Sequence, residues 1–479
     1  MKIIKTQVLI IGGGAAGLNA SLFLDTKDVF LIEANGSNSI LSPWNLMIKT
    51  KNELRKKILD IGNKMNDLNL LEFFLDKYKE SVEDLKNIGI RLRKSNIGLV
   101  PEYNLPGLKV RKKFLKKLKA KKVKILKGRV EKFLVDENKK IKGVEIRLLN
   151  TKEDVKIFFN YLILAGGGLS GFFQYSTGSK NSDGSILSLC YETGFKMRNL
   201  EFFMFHPFLL NDKRLPRALI SGDILTKIEY EDGNGKKFLS EKIAKALRTN
   251  KHHYIFSQMI REFYLQSLKG KIFGKFNCSD AWFEKFKKEN EFGFIFKNFK
   301  KNILEKIKLQ PAFHFLIGGL IINKNGQTNK ENIYAAGEIT GGLHGSGRIG
   351  GLAILEALVF SKAAAMNINK KMRRQKKKIV IPSKISKIGK LGLSDKLKKK
   401  NWETLGPIKK KVKLEKFKDF LEHKKILTSQ EKLLKKIIEI CLLRKNSVGA
   451  FYKENSKRVK TSNSSFLINR EIIFKKHVE

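Results

Sequence analysis

The sequence predicts an α/β fold with an inserted α+β segment and a helical C-terminal segment. An apolar run at residues 6–11 leads into a glycine-rich turn, and a second apolar run spans Val29–Glu33. Short apolar runs of this kind are typical of parallel strands that are buried on both faces. Residues 206–311 change character, with polar helical stretches and a phenylalanine-rich run, and Lys-dense helical patterns begin near Lys370. A chain of 479 residues is long enough for two or three domains.

The glycine-rich turn reads GGGAAG over residues 12–17 and fits the pattern G-x-G-x-x-G. In that pattern Gly12 permits a tight turn, Gly14 lets a pyrophosphate approach the backbone, and Gly17 allows close packing of helix on strand. Glu33 ends the next predicted strand, where a carboxylate accepts hydrogen bonds from ribose hydroxyls. This order predicts a Rossmann-like βαβ unit that binds a dinucleotide. A glycine-rich turn without a ligand is the alternative.

Two further segments bring bare backbone towards the same place. Residues 123–164 contain three strand-like runs, and the last of them ends in Gly166–Gly168. Residues 333–360 begin as a short apolar strand, pass through a glycine-rich loop that carries His344 and Arg348, and end as a helix. A loop so poor in side chains lets a flat ligand lie against backbone amides.

The net charge of +51 is the most unusual bulk property of the chain, with 97 Lys and Arg against 46 Asp and Glu. Basic runs such as Lys376–Lys378 and Lys398–Lys400 could contact nucleic acid or anionic lipid. The lysines are spread along the whole chain, however, and no nucleic-acid-binding motif accompanies them. We therefore favour solvated surfaces enriched in lysine, and do not expect a nucleic-acid partner.

Cysteine content and hydropathy limit the remaining classes. Cys190, Cys278 and Cys441 lie far apart and form no CxxC motif, so neither a metal site nor a disulfide framework is expected. The apolar N-terminal run breaks at Gly12, which favours a buried strand over a signal peptide. No run of 18 apolar residues occurs, so no transmembrane helix is expected. A reducing, cytoplasmic location follows from this interpretation.

Three side chains are candidates for binding a substrate. His206 and His314 both lie among aromatic residues, and Arg348 is surrounded by glycines that cannot shield it. Each has a simpler interpretation, because a histidine between aromatics is usually a core residue and an arginine usually forms a surface ion pair.

Taken in order along the chain, these motifs resemble the flavoprotein superfamily of succinate dehydrogenase and fumarate reductase, and most of all its L-aspartate oxidase branch. The motifs that carry the resemblance are GGGAAG at 12–17, LAGGG at 164–168, Ser182-Asp183-Gly184, EFFMFHP at 201–207, HFLIGG at 314–319, the segment 333–360, and SVGAFYK at 447–453.

The resemblance implies FAD as the cofactor and a capping domain inserted into the FAD-binding domain. The implied ranges are 1–205 and 317–375 for the FAD-binding domain, 206–316 for the capping domain and 376–479 for a C-terminal helical domain. Members that attach FAD covalently use a histidine shortly after the ribose-binding acid. This chain has no histidine before His206, so noncovalent FAD is expected.

The resemblance also implies site residues. FAD would be contacted by Gly12, Gly14, Ala15, Ala16, Gly17, Glu33, Ser39, Ala165, Gly166, Asp183, Glu338, Ala353 and Ile354. A C4 dicarboxylate would be held by His206, Ser221, His314 and Arg348, with Arg248 as a catalytic proton relay. His206, His314 and Arg348 would also take part in catalysis, while His344 would support its loop.

The chain departs from the family pattern at three points. Gly222 stands where a glutamate is expected, Leu352 replaces the asparagine of GGNSLLE, and Val448 replaces the arginine of SRG. The leading hypothesis is an L-aspartate oxidase, which would make iminoaspartate for NAD biosynthesis by hydride transfer to flavin N5 and reduce oxygen or fumarate. One alternative is a fumarate reductase or succinate dehydrogenase flavoprotein subunit that passes electrons to an iron–sulfur partner. The other is a degenerate FAD-binding basic scaffold.

Overall fold

The structure is a computed structural model that describes residues 2–34, 36–95, 98–103, 105–220, 222–249, 256–290, 293–375 and 378–475. The helices are α1 (Ala15–Phe23), α2 (Asn38–Leu41), α3 (Lys51–Ile61), α4 (Leu68–Asn87), α5 (Pro106–Ala120), α6 (Ser185–Glu192), α7 (Glu241–Arg248), α8 (Phe256–Lys269), α9 (Asp280–Glu289), α10 (Ala353–Arg374), α11 (Asp395–Leu405), α12 (Lys411–Glu422) and α13 (Ser429–Leu443). The strands are β1 (Lys2–Ile11), β2 (Val29–Glu33), β3 (Leu92–Lys94), β4 (Leu99–Pro101), β5 (Lys124–Val135), β6 (Ile141–Leu148), β7 (Asp154–Leu164), β8 (Met197–Arg198), β9 (Phe203–Leu210), β10 (Ile228–Glu231), β11 (Ile272–Phe276), β12 (Ile307–Leu316), β13 (Gly319–Ile321), β14 (Ile333–Ala335), β15 (Thr340–Gly341), β16 (Ser386–Ile388), β17 (Ser464–Ile468) and β18 (Glu471–Lys475).

The central sheet is parallel where the glycine-rich segments meet. Its parallel strands follow the order β14-β7-β1-β2-β5, with Leu9 opposite both Phe30 of β2 and Leu162 of β7. The β5 and β7 strands are long enough to pair with β6 as well, in an antiparallel meander. All five residues of β2 are buried, as expected for a strand covered on both faces. The predicted βαβ unit is confirmed.

Backbone contacts at the β1–α1 turn explain two of its glycines. Gly12 has a φ of +116°, and a Cβ there would lie 2.1 Å from the carbonyl oxygen of Ala165. A Cβ on Gly17 would lie 1.8 Å from the carbonyl oxygen of Gly12. Because no side chain fits at either position, α1 approaches β1 closely and the ends of β1 and β7 lie side by side.

The inserted segment has a sheet and a core of its own. Its antiparallel sheet has the strand order β10-β11-β12-β9. The helices α7, α8 and α9 belong to the same segment of the chain. Phe208 of β9 packs edge-on against Phe263 of α8, with ring centroids 5.2 Å apart. This cluster is separate from the larger core around the central sheet. The predicted α+β character of the insertion is confirmed.

The C-terminal segment contains the expected helices α11, α12 and α13, together with strands that we did not predict. Strand β16 extends the central sheet beside β5. Strands β17 and β18 form a hairpin that completes a five-stranded sheet in the order β15-β13-β8-β17-β18. The hairpin turns at Asn469 and Arg470, which both have positive φ, as a type I′ turn requires. In the sequence, the hairpin could have been predicted from the two short strand-like runs on either side of the asparagine at the turn.

A fully buried ion pair joins this C-terminal segment to the turn that precedes β9. Arg444 donates to Glu201 from two nitrogens, and the second oxygen of Glu201 accepts from Ser465. No helix in the described ranges has the length and apolar content needed to cross a membrane.

The buried pair yields a stability prediction. Arg444→Met leaves the Glu201 carboxylate buried without its cation, so we expect the free energy of unfolding to fall by about 3–5 kcal/mol. Arg373 pairs with Asp25 at the surface, and Arg373→Met is the matched control with an expected change of about 0–1 kcal/mol. Urea titrations of both variants measure the difference, and equal losses would contradict the prediction.

Candidate functional site

The first wall of the site is the turn between β1 and α1. Gly14 caps the N-terminus of α1 without a side-chain hydrogen bond, and the first turn of the helix contains no acidic residue. The positive end of the helix dipole is therefore available to an anion. The Ser39 hydroxyl accepts a hydrogen bond from the Ala15 N–H at 3.1 Å, which places α2 beside the same turn.

The second wall is the carboxyl end of β2. Glu33 lies so close to the turn that a Cβ on Gly13 would be 2.3 Å from its Oε2 atom. Arg111 of α5 holds this carboxylate through a contact of 2.6 Å and also donates to the carbonyl oxygen of Gly13. The predicted ribose-binding acid is thus beside the predicted pyrophosphate site.

The third wall is formed by the glycines after β7 and by the loop after β14. A Cβ on Gly168 would lie 2.3 Å from Glu338 Oε1, so this carboxyl packs against bare backbone. The Leu316 N–H donates to Oε1 at 3.0 Å, and the Asn38 side-chain amide donates to Oε2 at 2.9 Å. Burial raises the pKa of Glu338 to about 7, against the opposing effect of these two hydrogen bonds.

The remaining predicted cofactor residues border this cradle. Gly166 packs on Ile186 of α6, where an added Cβ would lie only 2.8 Å away. Asp183 pairs with Arg129 and accepts from the Ser185 N–H at 3.1 Å, so it anchors the start of α6. Ala353 and Ile354 begin α10. Contact of Asp183, Ala353 and Ile354 with a cofactor remains a prediction.

His206 and His314 are brought together by neighbouring antiparallel strands. Strand β9 pairs with β12, and the two imidazole centroids lie 5.7 Å apart. The His314 Nδ1 atom is 2.7 Å from the Thr177 hydroxyl. Burial, and secondarily the charge of Arg348, lowers the pKa of His314 to about 3, so this imidazole is neutral at pH 7.

Arg348 is a buried cation that forms no salt bridge in the described part of the chain, although the charges of Glu338 and Glu356 act on it from a longer distance. Its side chain is 8% exposed, and its guanidinium carbon lies 4.3 Å from the ring centroid of Phe315. The Nη1 atom donates to the carbonyl oxygen of the next residue, Ile349, at 3.1 Å. The Nη2 atom lies 3.8 Å from the sulfur of Met204. Its Nε atom has no hydrogen-bond partner. Burial lowers its pKa to about 10.

A buried guanidinium without a counter-ion is costly, and an anionic ligand removes that cost. Bidentate pairing with a carboxylate suits arginine in particular. Bare backbone that a dinucleotide can approach and a buried guanidinium that can pair with an anion therefore lie in one region. His344 lies in the core with its Nε2 atom 2.9 Å from Glu356, in keeping with a loop-supporting role.

Arg248 is placed away from this cluster. Its side chain is 62% exposed and pairs with Glu241 at 2.8 Å on the solvent-facing side of α7. The two residues lie seven positions apart, on the face opposite the buried Ile243 and Leu247, so the helix turns Arg248 outwards. The structure therefore does not bring Arg248 to the cluster, and its role as a proton relay stays a prediction. Ser221, the other candidate from this region, lies outside the described residues.

The structure reveals Arg261 of α8, which sequence reasoning missed. Its guanidinium carbon lies 4.4 Å from the ring centroid of Tyr452, and burial lowers its pKa. It lines a small cleft together with Phe256 and Met204. Phe256 in turn contacts His206 edge-on at 5.3 Å. The sequence held no signal for Arg261, because the neighbour that defines the cleft comes from the C-terminal segment.

A family described as FAD binding domain matches residues 7–229 and 276–354, more than half of the chain. The chain belongs to this FAD binding domain family. It is an FAD-dependent oxidoreductase, and the resemblance noted in the sequence is confirmed. The residues present fit FAD, because bare glycines, a helix N-terminus without an acidic residue in its first turn and a buried carboxylate meet at one place. Among the described residues, no group of three or more His, Cys, Asp or Glu side chains could hold a metal ion.

Several curated relatives of the chain are L-aspartate oxidases. The chain is 26% identical to that of Clostridium perfringens, over 76% of this chain and 86% of the relative. It is 24% identical to that of Pyrococcus horikoshii, over 95% of this chain and 96% of the relative. The second alignment covers nearly the whole of both chains.

Solved structures of quinol fumarate reductase and of Sdh1 share the fold. The FrdA subunit from E. coli matches with a TM-score of 0.75 at 14% identity, covering 99% of this chain and 97% of that chain. Sdh1 from Mycobacterium smegmatis matches with a TM-score of 0.77 at 14% identity, covering 100% of this chain and 95% of that chain. At this identity the likeness establishes the fold alone.

The raised pKa of Glu338 predicts how stability of the apoprotein depends on pH. Between its ordinary value near 4.5 and about 7, the folded state binds a proton that the unfolded state has released. The contribution of Glu338 to stability is therefore lost as pH rises through this window, by about 3 kcal/mol in total. Glu338→Gln cannot ionise and so removes this pH dependence, and the variant should become more stable relative to the wild type by about 3 kcal/mol between pH 4.5 and 7. A constant difference across urea titrations in that range would contradict the prediction.

Proposed function

We propose that this flavoprotein oxidises a C4 dicarboxylate, with L-aspartate as the leading substrate and iminoaspartate as the product. The observation that supports this most directly is Arg348, a buried cation that forms no salt bridge in the described ranges. The named relatives are L-aspartate oxidases, which favours aspartate over succinate. The physiological pathway would then be NAD biosynthesis, with oxygen or fumarate as electron acceptor.

Arg348 would bind one substrate carboxylate in place of its missing counter-ion. Neutral His314 can donate one hydrogen bond to the same anion, since the Thr177 hydroxyl contacts its other ring nitrogen at 2.7 Å. His206 lies on the neighbouring strand, with its ring centroid 5.7 Å from that of His314, and would face the second carboxylate of the substrate. Bound FAD would supply the hydride acceptor, while these side chains fix the orientation of the substrate.

Arg261 is the cation of the inserted segment that we assign to the substrate cleft, in place of Arg248. It lies on the same helix as Phe256, which contacts His206. Its guanidinium stacks on Tyr452 and forms no ion pair within the described residues, so it can still receive a carboxylate. Burial lowers its pKa, which raises the fraction of neutral guanidine available to take up a proton compared with an exposed arginine.

A second candidate is a fumarate reductase or succinate dehydrogenase flavoprotein subunit with an iron–sulfur partner. The supporting observation is the near-complete structural overlap with the E. coli and M. smegmatis chains. A degenerate FAD-binding scaffold is the third, motivated by Gly222, Leu352 and Val448. Turnover of any dicarboxylate separates the first two candidates from the third.

Anaerobic mixing of the FAD-loaded protein with L-aspartate, and separately with succinate, tests the proposal. We expect aspartate to bleach the flavin absorbance and succinate to do so more slowly or not at all. Arg348→Met should slow bleaching by at least about 100-fold while FAD remains bound, because one charge-assisted carboxylate contact is lost. Bleaching by succinate alone would favour the iron–sulfur-linked alternative, and bleaching by neither would contradict both enzyme proposals.

Paired arginine variants test the assignment of Arg261. Arg261→Met should raise the KM for the dicarboxylate about tenfold or more, since a cation facing the cleft is removed. Arg248→Met is the matched control on the neighbouring helix and should leave steady-state kinetics near wild type. The opposite result, with Arg248→Met impaired and Arg261→Met normal, would restore Arg248 as the catalytic candidate.

A further inference from the structure

Arg111 connects the two elements that meet at the adenosine end of the dinucleotide cradle. Its Nη2 atom contacts Glu33 Oε2 at 2.6 Å, and its Nη1 atom donates to the carbonyl oxygen of Gly13 at 2.8 Å. The side chains of Arg111 and Glu33 are only 15% and 11% exposed. One guanidinium thus joins the glycine-rich turn to the end of β2.

Helix α5 presents Arg111 from a firmly packed position. Its buried residues Val110, Phe114 and Leu118 recur at every fourth position and face the core. A Cβ on Gly107 would lie 2.4 Å from the carbonyl oxygen of Ser39, so the start of the helix rests on the backbone of α2. Trp44 packs on Phe114 and donates to the same Ser39 carbonyl at 2.8 Å. The guanidinium is therefore positioned by rigid neighbours.

The two oxygens of Glu33 have different surroundings. Oε2 is taken by Arg111, whereas Oε1 accepts no hydrogen bond from the described part of the chain. An acid at the end of β2 is where ribose hydroxyls are recognised in a Rossmann-like unit. With Oε2 held, Oε1 remains the acceptor that is open to a ligand.

We propose that Arg111 is a positioning residue for the adenosine ribose of FAD, and that it acts through Glu33. By clamping one carboxylate oxygen to the glycine-rich turn, Arg111 orients the other towards the ribose hydroxyls. This contribution concerns only the adenosine end of the cofactor and does not depend on which substrate is oxidised.

Competition between FAD and adenine nucleotides tests this role in the apoprotein. ADP carries the ribose hydroxyls, and 2′,3′-dideoxy-ADP lacks them but keeps the adenine and both phosphates. The affinity of each is measured by its displacement of FAD, followed through flavin fluorescence. For the wild type we expect ADP to bind at least about tenfold more tightly than the dideoxy analogue. This is the loss expected when a hydrogen bond from a ribose hydroxyl to the charged Glu33 carboxylate is removed.

The ratio of the two affinities separates positioning from general structural support. Arg111→Met should bring the ratio close to one, Glu33→Gln should do the same, and the double variant should add nothing, because both changes remove one interaction. Arg55→Met is the matched control, since Arg55 pairs with Glu72 at the same distance of 2.6 Å but at the surface. It should keep the wild-type ratio.

Three results would overturn the proposal. A wild type that binds both nucleotides equally would show that Glu33 does not contact the ribose. An Arg111→Met variant that weakens both nucleotides equally and keeps the ratio would make Arg111 a structural support only. Additive losses in the double variant would show that Arg111 does not act through Glu33. If Arg111→Met does not fold, Arg111→Gln replaces it in the same test. Its side chain is too short to reach both acceptors, so the ratio of the two nucleotide affinities should again fall close to one. A wild-type ratio in Arg111→Gln would overturn the proposal.

Discussion

The close approach of bare backbone at the carboxyl ends of β1 and β7 is the constraint on which the rest of the site depends. Gly12 meets Ala165, and Gly17 meets Gly12, at distances that no Cβ would permit. Since these contacts leave no room for side chains, the N-terminus of α1 and the end of β2 converge on a single cradle. The loop after β14 joins them through Glu338, which packs against Gly168.

Electrostatic compensation distinguishes structural from functional charges in this highly basic chain. Arg444 with Glu201, and Arg198 with Asp67, are buried cations with carboxylate partners. Arg348 is also buried, but within contact distance it has a carbonyl, a thioether and an aromatic face, while the carboxylates of Glu338 and Glu356 act on it only from beyond salt-bridge distance. An uncompensated buried charge is destabilising unless a ligand supplies its counter-ion, and this contrast is what directs the proposed function to an anion.

Local patterns in the sequence predicted the cradle well. The strand Val29–Glu33 and the helix after GGGAAG both appear as expected, because burial on two faces and glycine spacing are local properties of the chain. The hairpin of β17 and β18 was missed, since its strands are short and become stable only against β8. Arg248 was assigned from the family resemblance, whereas its helix turns it to solvent.

The sequence by itself determined the βαβ unit, the cofactor class and the candidate side chains His206, His314 and Arg348. These follow from residue types and spacings that act over a few positions. Only the tertiary structure decided which charges meet. Arg111 reaches Glu33 across 78 positions, and Arg348 reaches Met204 across 144. Partners so distant in the chain are chosen by the packing of helices on the sheet, and no local pattern encodes that choice.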